Sequence, residues 1–180
     1  MAHLEKLITI NTHFFRLTLL NKLLEDGNTL VKRNQLPEAV QRYQYAVKRI
    51  PNNKDVTYKP LFDQLRIHLL LNLSRCKRKM TEYEEALDLA TEVIKKNPMN
   101  YEALHSRAKT YHVTGNQTAA LADLTDAVKV APQNRELHKI LINLKEEIRI
   151  SEMKAKDDRH SVDQDFSSGV GSASEYSGEL

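Results

Sequence analysis

An all-α fold, an α-solenoid of three stacked helix-turn-helix repeats, is predicted by a 34-residue internal period and by small side chains recurring at fixed places within it. The composition agrees. The 180 residues include only five Gly, five Pro and no Trp, which argues against a many-turned β sandwich.

The clearest unit spans residues 101–134. It places Leu104, Ala108, Tyr111, Ala120, Leu124, Ala127 and Pro132 at positions 4, 8, 11, 20, 24, 27 and 32, with Gly115 at the turn. Positions 8 and 20 lie where the two helices of a unit cross, so only small side chains allow close approach. Position 27 faces the next unit under the same restriction. Proline at position 32 ends the second helix and keeps the residue before it out of the α region. One period earlier, residues 67–100 place Leu70, Ser74, Ala86, Ala90 and Pro98 at positions 4, 8, 20, 24 and 32, with Lys77 and Val93 departing at positions 11 and 27. Residues 20–53 place Leu23, Gly27, Leu30, Ala39, Tyr43, Ala46 and Pro51 at the full set of seven positions. The 13 residues 54–66 form an insertion. Within it Pro60 suits the start of a helix, and Leu61, Leu65, Leu69 and Leu73 recur at fourfold spacing, so the first helix of the second unit is expected to begin early.

The flanks are read from patterning. Residues 1–19 hold Leu7, Ile8, Ile10, Phe14, Phe15 and Leu17, interrupted by Asn11, His13 and Arg16, and read as a packing helix rather than a signal peptide or a membrane span. Residues 135–156 carry one apolar stripe of Leu137, Ile140, Leu141, Leu144 and Ile148, as a capping helix requires. Residues 157–180 are rich in Ser, Gly and acid, and are expected to be disordered. This tail carries −5 of the net +3, leaving +8 on residues 1–156. A basic body with an acidic tail points to acidic partners, or to the tail touching its own body.

The position-specific pattern resembles the tetratricopeptide repeat (TPR). Within that family, RYQYAVKRIP (42–51), PLFDQLR (60–66), LNLSRCKRK (71–79) and AALADLTDAVKVAPQN (119–134) resemble the TPR region of TANC and rolling-pebbles scaffolds. That resemblance covers roughly residues 20–148 and implies a cytoplasmic scaffold at postsynaptic densities or myoblast-fusion sites.

In a TPR stack the first helix of each unit lines a concave groove, and positions 2, 5, 6, 9, 12 and 13 point into it. The expected groove residues include Asn28, Lys32, Asn72, Arg75, Arg78, Lys79 and Lys109, together with Leu24, Leu71, Glu102, His105, Ser106 and His112. The face leans basic. It is expected to hold an extended, acidic or carboxylate-bearing segment of a protein partner, with Asn28 and Asn72 bonding its backbone. A rival reading is the carboxylate clamp of co-chaperones, which grips acidic C-terminal tails of heat-shock chaperones. Asn28 and Asn72 match its two asparagines, but Leu24, Glu102 and Ser106 stand where it has cations.

No enzyme is expected. Gly-rich phosphate loops are missing from the sequence. His105 and His112 are spaced seven apart, unlike the usual helical metal pair, so neither a metal nor a cofactor is implied. Cys76, the sole cysteine, reads as a small core residue in a reducing compartment. Aromatic side chains are lacking in the basic groove, so nucleic acid is not an expected partner.

Overall fold

The computed structural model describes the backbone of residues 2–51 and 57–169, and the side chains of residues 11–51, 57–156 and 159. Seven helices and no strand occur among the described residues: α1 (Ala2–Lys32), α2 (Leu36–Arg49), α3 (Lys59–Lys79), α4 (Tyr83–Lys96), α5 (Tyr101–Val113), α6 (Gln117–Val130) and α7 (Arg135–Gly169). α1 pairs with α2, α3 with α4 and α5 with α6, and each hairpin packs on the next through α2–α3, α4–α5 and α6–α7. The helices α1, α3 and α5 also approach one another across hairpins, whereas α2, α4 and α6 do not approach comparably. The stack is therefore shorter along its odd-numbered side, and that side is the inner wall.

The three hairpin turns share one construction. Asn34, Thr81 and Gly115 occupy the same place in successive units and all have positive φ, at 60°, 64° and 80°. The next residue closes the turn by donating its backbone N–H across it: Gln35 to Leu30, Glu82 to Lys77 and Asn116 to Tyr111, each at 2.9 Å. Glycine adopts this left-handed conformation without penalty, whereas Thr81, being β-branched, is strained in it. Helix starts are marked by asparagines. The Oδ1 atoms of Asn100, Asn116 and Asn134 accept from backbone N–H groups of Ala103, Ala119 and Leu137 at 2.9, 3.1 and 3.2 Å.

Small residues sit where the helices cross. Ser74, Ala108, Ala39, Ala86, Ala120, Ala46 and Ala127 are all completely buried. Gly27 is the tightest case: a Cβ there would lie 2.3 Å from Cε1 of the buried Tyr43 ring. Where the second unit has Lys77 instead of an aromatic, its stem is buried and its ammonium is held by Glu82 and by Glu85 at 2.8 Å. In the third unit Asp123 accepts two bonds from Arg107, from Nε at 2.7 Å and Nη2 at 2.8 Å, stitching α5 to α6.

Two boundaries differ from expectation. The packing helix of residues 1–19 and the first helix of the first unit are one continuous α1. No Gly or Pro precedes Gly27, which lies in the interior of the helix, so no strong helix breaker stands between the two segments. α1 is anchored to the insertion by His13, which stacks on Tyr58 at 4.7 Å and meets Phe62 edge-on at 5.9 Å. α7 continues past residue 156 to Gly169, where a structureless tail was expected to have begun. No Pro or Gly stands between Asn134 and Gly169, and helix-favouring residues carry the run onward. Residues 170–180 of the predicted tail lie outside the described residues.

Gly27→Ala is expected to lower stability. Overpacking against Tyr43 costs about 1–3 kcal/mol, more than the roughly 1 kcal/mol of helix propensity gained. In a Tyr43→Leu background the same change should become neutral or stabilising, as urea unfolding midpoints would show. Thr81→Gly is expected to raise stability by about 0.5–1 kcal/mol by removing left-handed strain, read from the same midpoints.

Candidate functional site

The inner wall is built from α1, α3 and α5, and its floor is a chain of hydrogen bonds across units. Tyr43 Oη, reaching in from α2, donates to Asn28 Oδ1 at 2.7 Å. Asn72 Nδ2 on α3 donates to the same oxygen at 3.1 Å, and Arg75 Nη1 donates to Asn72 Oδ1 at 3.4 Å. Burial pushes the Tyr43 hydroxyl pKa up to about 12, so it remains a donor throughout the physiological range. Asn28 and Asn72 are thus brought together and fixed in orientation.

The cations fall into two groups. Lys32 and Lys79 are exposed in the last turns of α1 and α3, and neither makes an ion pair among the described residues. The positive charges of Arg75, Arg78 and Lys109 all act on His105. The His105 ring is half-buried, its Nε2 is fully enclosed, and that atom has no hydrogen-bond partner. Burial, then the positive charges of Lys109, Arg75 and Arg78, push its pKa down to about 4. The Arg78 guanidinium is itself lowered, by burial and by Arg75 beside it. It is pinned by donating from Nη1 to the Ser106 carbonyl at 3.2 Å. The opposing acid at this spot is Glu102, whose carboxylate lies 3.9 Å from Arg75 with both side chains close to half exposed, too long and too wet to neutralise it.

Some expected groove residues are closed off. Leu71 is buried, and Ser106 is buried in contact with Ser74 Oγ at 3.2 Å. Leu24 packs against the core of the first unit. Position numbering cannot show this, because it ignores how far neighbouring helices cover a given face. His112 Nε2 lies 2.8 Å from Glu147 of α7, so α7 helps close the far end of the groove. Beside that pair a small cavity of about 160 Å³ is lined by Lys109, Ile140 and Leu144 among others. A larger cleft of about 430 Å³ lies away from the inner wall, lined by Val47, Leu70, Leu73 and Leu89. Cys76 is buried, and burial pushes its thiol pKa up, which suits a core residue rather than a nucleophile. No group of three or more metal-ligating side chains occurs among the described residues, and no helix there is long and apolar enough to cross a membrane.

With paired helices, matched turns and an inner wall of first helices in place, the fold can be compared with known proteins. No protein-family model matches the chain. It is similar to outer envelope protein 61 of Arabidopsis thaliana, at 28% identity over 131 residues. That match covers 71% of this chain and 22% of the relative, so the chain spans about a fifth of that protein. The first TPR of Spaghetti (RPAP3), solved bound to the HSP90 peptide SRMEEVD, superposes with a TM-score of 0.59 at 17% identity, covering 72% of this chain and 93% of that one. The Hsp90 co-chaperone Cns1 of Saccharomyces cerevisiae superposes with a TM-score of 0.66 at 16% identity, covering 82% and 45%.

The fold is a TPR α-solenoid. None of these three similar proteins is a TANC or rolling-pebbles scaffold, and they lend no support to a synaptic, junctional or fusion-site setting. Against the clamp pattern of co-chaperone TPR domains, Arg107 does not supply the cation missing at Ser106, because it is committed to Asp123 and also reaches Thr91 at 3.3 Å. Arg78 instead brings positive charge to the Ser106 carbonyl from the neighbouring helix.

The depressed His105 pKa carries a stability signature. Below pH 6.5 the unfolded chain takes up a proton at this ring, which the folded chain takes up only near pH 4. Its contribution is therefore complete above 6.5 and lost as pH falls through that window. The loss is on the order of 1–2 kcal/mol once solvent screening at this half-buried site is allowed for. Urea midpoints at pH 7 and pH 4.5 should differ less in His105→Gln than in the wild type. Equal differences in the two proteins would remove His105 from the account.

Proposed function

We propose that this chain is a non-enzymatic interaction module whose inner wall holds an extended acidic segment of a partner protein, in the manner of a co-chaperone TPR domain receiving an acidic chaperone tail. The observation that carries the reading is the placement of Arg75 and Arg78 on α3 and of Lys109 on the adjoining α5, with positive charges that all act on His105, while Glu102, half-exposed and 3.9 Å from Arg75, is the ion-pair partner found for these three among the described residues. Cations held together on packed helices cost electrostatic repulsion, and an anionic ligand relieves it. Lys32 and Lys79 extend the positive field toward the ends of their helices, and the linked amides of Asn28 and Asn72 suit a peptide backbone.

The similar proteins support the same class of partner, since one of them was solved with an HSP90 peptide and another is an Hsp90 co-chaperone. The cation set here is rearranged. Leu24, Glu102 and Ser106 occupy the usual clamp positions, and the charge sits on Arg75, Arg78 and Lys109 instead. Recognition should therefore depend more on the acidity of the whole segment than on its terminal carboxylate.

The peptide SRMEEVD, labelled at its N-terminus, is expected to bind in fluorescence polarisation, and binding should weaken as salt rises. Amidating its C-terminus should weaken binding only modestly. Arg75→Glu with Lys79→Glu should weaken it by roughly tenfold or more. Unchanged affinity in the double variant, with helix content intact by circular dichroism, would remove the groove from the reading.

A further inference from the structure

We propose that the outer cleft between α2 and α4, floored by α3, is a second docking surface, which receives a short amphipathic helix of a partner protein, apolar on one face and basic along one edge. It lies away from the inner wall and takes an occupant of opposite charge, so it stands independently of the acidic-segment reading above.

The first argument is room. α2 and α4 each pack on α3 but not comparably on one another, which leaves a cleft of about 430 Å³. Val47, Leu70, Leu73 and Leu89 form its apolar floor. A cavity of about 150 Å³ takes one benzene, so this cleft has space for two or three apolar side chains. Side chains at i, i+3 or i+4, and i+7 make up the apolar stripe of two helical turns.

The second argument is the backbone of the occupant. The floor side chains carry no hydrogen-bonding atoms, and the interior backbones of α2, α3 and α4 are bonded within their own helices. An extended segment would lay its peptide groups against this floor without partners, whereas a helix satisfies its own. The linked amides that suit an extended chain, Asn28 and Asn72, stand on the inner wall instead.

The third argument is charge. Glu85, Asp88 and Glu92 line the α4 side of the cleft, and their spacing of three and four residues puts them on one face of that helix. Glu85 shares the Lys77 ammonium with Glu82, and Glu92 meets Lys96 at 3.4 Å, while the exposed Asp88 has no ion pair among the described residues. Four acids against two bases leave an excess of two negative charges along this edge. On the α2 side the cleft is lined by Gln44 and Lys48, and Lys48 is exposed without an ion pair among the described residues. Bases on the occupant are drawn to the α4 edge and repelled from the α2 edge, which fixes how the helix is rotated in the cleft. Leu70 also borders a second cavity of about 440 Å³, whose charged lining is Lys59, Arg66 and Lys96 against Asp63. The basic edge of the occupant therefore ends within the two turns that face Glu85, Asp88 and Glu92.

The test selects short helical peptides from a phage-displayed library against the full chain. The selected sequences are expected to include a group with an apolar stripe at helical spacing and Lys or Arg along one edge. In fluorescence polarisation, Asp88→Lys, a change at an exposed position, should weaken such a peptide by about fivefold or more with helix content intact. Replacing the edge bases of the peptide by Glu should weaken binding to the wild type and strengthen binding to the Asp88→Lys variant. Arg75→Glu with Lys79→Glu should leave the affinity unchanged, which separates this surface from the inner wall. Absence of a helical, basic-edged group overturns the proposal, as does an affinity that survives Asp88→Lys or is lost with Arg75→Glu and Lys79→Glu. Selection of extended apolar sequences without helical spacing, or a dimer of this chain broken by Asp88→Lys in sedimentation, would put a different occupant in the cleft and overturn it as well.

Discussion

Close approach of helices at small residues is the constraint on which the rest of this molecule depends. Gly27 admits the ring of Tyr43, and completely buried alanines at the other crossings let each hairpin close fully. Because the first helices of successive hairpins come near one another and the second helices do not, the stack bends. Bending gathers side chains from α1, α3 and α5 onto one wall. The cation cluster follows from this: Arg75 and Arg78 would have no common neighbour with Lys109 if α3 and α5 were held further apart.

The same closeness creates an electrostatic tension that the fold does not relieve internally. Elsewhere, buried charge is matched. Lys77 has Glu82 and Glu85, and Arg107 has the two oxygens of Asp123. On the inner wall the matching is looser, with Arg75 and Glu102 3.9 Å apart and half-exposed, and the pKa of His105 is lowered by burial first and then by Lys109, Arg75 and Arg78.

Much of the architecture was legible because steric rules leave marks in residue type. Only small residues survive at a helix crossing, and prolines at 51, 98 and 132 punctuate the units. The groove was partly legible: Asn28, Asn72 and Arg75 were placed on one face and do form one network. Tyr43 was missed as the anchor of that network, since its place in the repeat asks only for bulk and says nothing of where a hydroxyl ends. Burial of Leu71 and Ser106 was missed because it depends on the neighbouring helix. The strained turn at Thr81 was hidden because threonine does not advertise a left-handed backbone as Gly115 does. The run of α7 to Gly169 was missed because composition was weighed above the lack of helix breakers.

The bond between Asn28 and Asn72 also sets what an occupant can gain. An amide already engaged before arrival offers a visitor an exchange of one neutral hydrogen bond for another, with little net free energy. What it does offer is readiness: both amides stand in place, so little freedom is lost when they are used. In the groove proposed above, grip would then come from charge and alignment from the asparagines, a division of labour that favours rapid capture and equally rapid release.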